Sequence, residues 1–105
     1  MQIQVNSDSS VAVDSEMLQF VESTANKALK RFEERITRVE VHLSDVSGDK
    51  VGVQGKRCLM EARPASHEPV AVTNQAHGLE EAVRGGAQKL KRRLDSLFGR
   101  LGDRA

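Results

Sequence analysis

Hydrophobic and polar residues alternate in four short segments of this chain and recur at helical spacing in two longer ones. The alternating segments, which indicate strands, begin near Gln2, Arg38, Lys56 and Val70. The helical segments begin near residues 14 and 77, and each carries an apolar stripe. The predicted element order is therefore β-α-β-β-β-α. We expect an α+β fold in which a four-stranded mixed sheet has two helices packed on one face.

The predicted strands present one apolar face and one mostly polar face. The inward residues of the second and third strands are Val39, Val41, Leu43, Cys58, Met60 and Ala62. The opposite face, open to water or to a partner, carries Gln4, Glu40, His42, Leu59, Glu61 and Arg63. A helical crossover should make the first two strands parallel. The fourth strand is expected at an edge, because Pro69 at its start cannot donate to a ladder.

The two predicted helices are amphipathic. In the first, which Asp14 or Ser15 can cap, the stripe is Leu18, Val21, Ala25, Leu29, Phe32 and Ile36. In the second it is Leu79, Val83, Ala87, Leu90, Leu94, Leu97 and Leu101. Gly85 and Gly86 interrupt the second helix, and each costs about 1 kcal/mol relative to alanine. We expect either a local bend or a close approach of the sheet at this point.

Composition limits the kind of protein that this chain can be. With 105 residues, 38% of them hydrophobic, residues 1–105 should form a single domain. Three Phe without Trp or Tyr make base stacking an unsuitable main mode of nucleic-acid binding. The first residues, MQIQVNSD, lack the apolar run of a signal peptide, and no segment has the roughly 18 apolar residues of a membrane span. We expect a cytoplasmic protein without a membrane partner.

The charge is distributed unevenly along the chain. Residues 84–105 carry seven Lys or Arg against two Asp, net +5, whereas residues 1–83 carry nine against thirteen Asp or Glu, net −4. Four of five residues from 89 to 93 are basic, namely Lys89, Lys91, Arg92 and Arg93. A concentrated basic terminus is typical of contact with a phosphate backbone. The alternative is a solvated helix face whose cations complement the helix dipole.

A second group of candidates lies near the end of the first helix. Lys27, Lys30 and Arg31 are basic, but Glu33 and Glu34 dilute their field. These cations are therefore expected to support a phosphate contact rather than to dominate it.

The remaining polar residues give little support to catalysis. Charges on the second and third strands are interpreted as cross-strand pairs: His42, Asp45, Arg57, Glu61 and Arg63. A metal site at His42 lacks a ligand-spaced partner, because the three His are scattered. A Cys58 nucleophile with His42 as base is disfavoured, since an inward thiol is usually inert. We predict no catalytic residues, no metal, no cofactor and no small-molecule substrate.

Two segments carry a resemblance to a known family. The element order, the segment Phe20 to Leu43 ending in RITRVEVHL, and the helix LEEAVRGGAQKLKRRL resemble the ribosome hibernation promoting factors, also called ribosome-associated inhibitors or ribosomal subunit interface proteins. The family pattern Lys, Leu, any residue, Arg, any residue, Leu falls on Lys89 to Leu94. The similarity covers essentially the whole chain, which resembles the short form of the family and a divergent branch of it.

The resemblance implies a function and a partner. Members bind the small ribosomal subunit in the channel used by messenger and transfer RNA, and block translation in resting cells. The expected function is thus rRNA binding through basic helix ends. The chain departs from the family at two places. Gly78, Leu79 and Glu80 replace an Asp, Met, Tyr step, so a Tyr contact does not carry over, and Asp95 to Gly99 replace further lysines, which makes the basic surface thinner. The alternative function is a protein-interaction or regulatory module with this fold and weak RNA affinity.

Overall fold

The computed structural model describes residues 1–102, and side chains as far as residue 100. Its elements are β1 (Gln2–Ser7), α1 (Ser15–Leu29), β2 (Ile36–Asp45), β3 (Lys56–Pro64), β4 (Val70–Ala76) and α2 (Leu79–Gly102), with a 3-10 turn at Lys30–Phe32. The predicted element order is confirmed. The predicted apolar stripe of the second helix ends at Leu101, whose side chain lies outside the described part of the chain, as do Asp103 and Arg104.

The strands form one mixed sheet in the order β1-β2-β3-β4. β1 pairs with β2 in parallel, and the other neighbouring pairs are antiparallel. The parallel first pair and the edge position of β4 are therefore as predicted. β2 begins at Ile36 rather than near Arg38, and β4 begins at Val70 as predicted and ends at Ala76.

Both helices cover the same face of the sheet. The side chains between them and the strands are aliphatic or sulfur-containing, and Val41 and Leu90 are both fully buried. Phe32 and Phe98 close one end of this core with ring centroids 5.3 Å apart. The apolar faces read from the sequence thus meet in one core, and the opposite sheet face is left to solvent.

The predicted stripe of the first helix is wrong at three positions. α1 is capped by the Asp14 side chain and stops at Leu29. Phe32 lies in the 3-10 turn and Ile36 is the first residue of β2, although both are buried. Leu18 is 39% exposed, because the first turn of α1 lies at the margin of the core. Burial continues through the change of element, which is why a single helical period fitted the sequence.

The glycine pair of α2 marks a close approach of the sheet, one of the two predicted outcomes. A Cβ atom at Gly86 would lie 3.3 Å from the Cys58 Sγ atom of β3. A Cβ atom at Gly85 would overlap the side-chain amide of Asn74 in β4. That amide donates from Nδ2 to the Ala82 carbonyl oxygen of α2 at 3.1 Å. The absence of side chains at these two positions lets α2 lie directly on β3 and β4.

Candidate nucleic-acid interface

The basic residues of α2 point to two different sides of the helix. Lys91 faces α1, whereas Lys89, Arg92 and Arg93 face β4. The division follows from the helical period, because positions i, i+3 and i+4 share a side that position i+2 does not. The predicted run of four cations is therefore split between two grooves.

The first groove, which we call the helix groove, lies between α1 and α2 and has a volume of about 560 Å³. It is lined by Phe20, Ser23, Thr24, Lys27, Ala28, Arg84, Ala87, Gln88 and Lys91. Three of these residues are cationic and none is acidic. The Arg84 guanidinium carbon lies 5.0 Å from the centre of the Phe20 ring. The groove thus combines positive charge with hydroxyl and amide groups, which suits an anionic backbone.

The second groove, which we call the edge groove, lies between α2 and the outer side of β4 and has a volume of about 500 Å³. It is lined by Ala71, Val72, Thr73, Lys89, Arg92 and Arg93. The Lys89 Nζ atom donates to the Thr73 carbonyl oxygen at 3.0 Å. Both arginines are exposed. Lys89 is thus tied to the strand, while its two neighbours point into solvent.

The three candidates near the end of α1 have different surroundings. Lys27 lies in the helix groove, across from Lys91. Lys30 forms an ion pair with Glu33 at 3.4 Å, and the two lysines also share a shallow pocket on α1. Arg31 forms an ion pair with Asp95 of α2, and its guanidinium carbon lies 4.9 Å from the centre of the Phe32 ring. Part of the charge of Arg31 is therefore compensated within the protein.

Arg84 is a candidate that the sequence prediction missed. It precedes Lys91 by seven residues, which is two helical turns, so both side chains emerge on the same side of α2. This spacing was the signal that could have identified it. Arg84 also lies 3.8 Å from Glu80, but both groups are more than half exposed, so water screens this pair strongly.

Ion pairs on the open sheet face join four charged residues of β2 and β3 with one another, namely Arg38, Glu40, Glu61 and Arg63. Glu40 accepts ion pairs from Arg38 at 3.4 Å and from Arg63 at 3.0 Å. At the end of β2 the Lys56 Nζ atom lies 2.7 Å from an oxygen of Asp45. Hydrogen bonds from Lys56 and Ser47 hold the pKa of that carboxyl well below its usual range. The interpretation as cross-strand pairs holds for Asp45 with Lys56 and for Arg63 with Glu40. It is wrong for Glu61, which pairs with Arg63 of its own strand and lies opposite Glu40, and among the described residues neither His42 nor Arg57 joins an ion pair.

The Cys58 thiol and the His42 imidazole, which would have to act together as nucleophile and base, lie on opposite faces of the sheet. Cys58 is fully buried on the helix-covered face, whereas His42 is exposed on the other face of the sheet. Burial raises the pKa of the Cys58 thiol to about 12, so the reactive thiolate is not formed near neutral pH. Within residues 1–102, no three His, Cys, Asp or Glu side chains are grouped as metal ligands would be. In the same residues, no helix is both long and apolar enough to cross a bilayer.

The chain is therefore a small α+β protein with two helices on one face of a four-stranded mixed sheet and basic grooves on both sides of the second helix. Residues 3–101 match the family described as sigma 54 modulation protein / S30EA ribosomal protein, so the chain belongs to that family. The resemblance read from the sequence is thereby confirmed.

Two solved structures have the same fold. One is a ribosomal subunit interface protein from Coxiella burnetii, with a TM-score of 0.77 and 11% identity over 94% of this chain and 99% of that chain. The other is the N-terminal domain of Protein Y from Thermus thermophilus, with a TM-score of 0.74 and 16% identity over 92% of this chain and 99% of that chain. At these identities the likeness concerns the fold alone. A search of curated proteins found no match.

Proposed function

We propose that this protein binds the small ribosomal subunit through the phosphate backbone of its rRNA and silences translation in resting cells. Membership of a family named for a ribosomal protein supports the ribosome as partner. One of the structural neighbours is itself named a ribosomal subunit interface protein. We infer that the domain acts as a plug whose shape and charge fit the subunit, located in the cytoplasm with its target.

The observation that carries this proposal is the pairing of cations across the helix groove. Lys27 from α1 and Arg84 and Lys91 from α2 line one depression, and none of the described residues that line it is acidic. Since the chain as a whole has a net charge of only +1, this local excess is not a consequence of overall composition. Clustered cations on one face are the electrostatic footprint of a nucleic-acid contact.

The other predicted contacts extend this surface. Lys89, Arg92 and Arg93 add positive charge on the far side of α2, and Lys30 adds charge beyond Lys27. Arg31 contributes less than its formal charge, because Asp95 compensates it. Phosphate contacts should dominate binding, since the chain has no Trp or Tyr for base stacking.

Co-sedimentation with purified small subunits at increasing salt tests the proposal. Each phosphate contact contributes a slope of roughly 0.7 to 0.9 in log affinity against log salt. Lys27→Glu with Lys91→Glu reverses two cations of the helix groove and should abolish co-sedimentation. Lys89→Glu with Arg92→Glu reverses two exposed cations of the edge groove and should weaken co-sedimentation, at a cost in folding stability of about 1 kcal/mol for the lost hydrogen bond from Lys89 to Thr73. Lys50→Glu with Arg57→Glu makes the same change in net charge away from both helices, and should retain binding.

The outcomes separate the two functions considered for this chain. Affinity that does not depend on salt would contradict the phosphate-contact proposal. Full co-sedimentation of both the Lys27→Glu, Lys91→Glu variant and the Lys89→Glu, Arg92→Glu variant would favour the protein-interaction module with weak RNA affinity. Equal loss in the Lys50→Glu, Arg57→Glu control would show that only net charge matters, and would also contradict the assignment of a specific surface.

A further inference from the structure

The outer side of β4 presents main-chain groups that no strand of the described residues covers. β4 pairs with β3 on one side only and is the last strand of the sheet. Backbone groups of successive strand residues point to alternate sides. The Lys89 side chain reaches the Thr73 carbonyl oxygen from α2, which identifies the outward set as Ala71, Thr73 and Gln75.

An independent hydrogen bond gives the same assignment. Val46 N donates to Gly55 O, so the main-chain N–H and C=O groups of the odd-numbered residues of β3 point toward β2. The main-chain groups of the even-numbered residues of β3 therefore point toward β4. In the observed register these residues lie opposite the even-numbered residues of β4: Cys58 opposite Asn74, Met60 opposite Val72 and Ala62 opposite Val70. Residues 71, 73 and 75 are left to face outward. Their side chains are also exposed, so no side chain blocks the approach of another segment from the open sheet face.

Among the described residues, those that line the edge groove carry charge of one sign. Of the six residues that line the edge groove, Lys89, Arg92 and Arg93 are cationic and none is acidic. Lysines are commonly placed at sheet edges to prevent pairing with other chains. Here a second copy would bring the same three cations to the shared edge, so like charges oppose pairing of two β4 edges. An acidic segment meets the opposite condition.

The spacing of the cations also fits an extended chain. Lys89 and Arg93 are four residues apart on α2, which is about 6 Å along the helix axis at 1.5 Å per residue. Alternate side chains on one face of a strand lie about 6.6 Å apart. Carboxylates at every second position of an added strand can therefore reach successive cations of the groove. The main chain pairs with Ala71, and it pairs with Thr73 when the Lys89 ammonium turns from the Thr73 carbonyl oxygen to a carboxylate.

We propose that the open edge of β4 is a docking site for an extended acidic segment of a partner protein, which adds a fifth strand to the sheet and places alternate carboxylates against Lys89, Arg92 and Arg93. Main-chain hydrogen bonds to the edge supply affinity, and the cations select acidic side chains. The proposal goes beyond ribosome binding. It implies that such a segment competes with RNA for the edge groove while the helix groove stays accessible.

A peptide-binding experiment without ribosomes tests this proposal. The probe is a fluorescent, end-blocked peptide of eight alternating glutamates and valines, followed by anisotropy at low salt. Two further versions carry N-methyl groups, one on every valine and one on every glutamate. Because a strand pairs through alternate amides only, one of these versions should bind at least tenfold more weakly than the other. Equal affinities would overturn the proposal, since purely ionic attraction does not distinguish them.

Protein variants locate the site. Ala71→Pro removes an outward N–H and should weaken peptide binding at least tenfold while folding is retained, because proline is tolerated at an edge. Arg92→Ala should also weaken it, whereas Arg100→Ala, which removes a cation of α2 outside both grooves, should not. Peptide binding that is insensitive to Arg92→Ala would overturn the proposal. If Ala71→Pro does not fold, the two N-methylated peptides still decide.

Other occupants of the edge give distinguishable results. If the peptide does not bind and a single-stranded RNA oligonucleotide binds in a way that Arg92→Ala weakens, the edge groove is an RNA site and the proposal is overturned. If the protein alone forms a dimer in sedimentation equilibrium that Ala71→Pro abolishes, the occupant is a second copy and the proposal is also overturned. Ribosome co-sedimentation is measured on the unsubstituted protein without peptide, so failure of peptide binding is separate from failure of the proposed function.

Discussion

Replacing Gly85 with alanine should destabilise this protein, although alanine is the better helix former. In a helix interior the substitution normally gains about 1 kcal/mol. At Gly85 the new Cβ atom would overlap the side-chain amide of Asn74, which donates to the Ala82 carbonyl oxygen at 3.1 Å. Displacing that amide loses a hydrogen bond of about 1 kcal/mol. Inserting a methyl group into filled space costs about 1 to 3 kcal/mol more.

These contributions leave a net loss of about 1 to 3 kcal/mol in the free energy of unfolding. For a domain of this size each kilocalorie lowers Tm by roughly 4 to 8 °C. Far-UV circular dichroism during urea and thermal unfolding measures the change, and it does not need the Trp or Tyr that the chain lacks. The matched control is Gly99→Ala in the same helix, where a Cβ atom would meet nothing within 4 Å. That control should be neutral or more stable by up to about 1 kcal/mol.

A double-mutant cycle decides whether Asn74 is the cause. In an Asn74→Ala background the overlap is absent, so Gly85→Ala should become stabilising by about 1 kcal/mol. An equal loss of stability in both backgrounds would refute the explanation, and so would a Gly85→Ala variant as stable as the parent. Either result would mean that α2 does not approach β4 as closely as the Asn74 contact requires.

Three further predictions concern the core, the charged surface and acid stability. Leu90→Ala should lower the free energy of unfolding by about 2 to 5 kcal/mol, because Leu90 is fully buried. In urea unfolding, Leu97→Ala should lower this free energy by less, because Leu97 is half-buried. Equal losses of stability in the two variants would contradict the helix register. Asp95→Asn should strengthen co-sedimentation with small subunits, because it frees Arg31 from its ion pair with Asp95. This gain in affinity should be absent when Arg31→Ala is also present. A gain that persists would mean that Arg31 is not the cation that causes it. The Asp45 pair should stabilise the fold above the usual Asp pKa of 3.8 and lose this contribution as the pH falls toward the lowered pKa of the folded state. The stability difference between the parent and Asp45→Asn should therefore shrink in urea titrations below pH 3.8, and a difference that is constant with pH would count against the pair.

Much of the fold could be predicted from the sequence because its elements bury one face each. Alternation at Val39, Val41 and Leu43 has the period of a strand, and Leu90 and Leu94 repeat with the period of a helix. The prediction was wrong where burial continued across a change of element. Phe32 and Ile36 are both buried, so apolar spacing alone extended the first helix through a 3-10 turn and into β2. Periodicity reports which side is buried, and it does not report where the backbone changes conformation.

The sequence by itself determined the excess of positive charge on the second helix and the lack of aromatic groups for stacking. It also indicated that at Gly85 and Gly86 the second helix either bends or is closely approached by the sheet, and the structure selects the close approach. Only the tertiary structure decided which partner each cation faces: Lys91 lies opposite Lys27, Lys89 contacts the Thr73 carbonyl of β4, and Arg31 is paired with Asp95. The physical reason is that a side chain's neighbours depend on the packing of elements distant in sequence. Local spacing determines the direction of a side chain on its own helix, and the fold determines what lies in that direction.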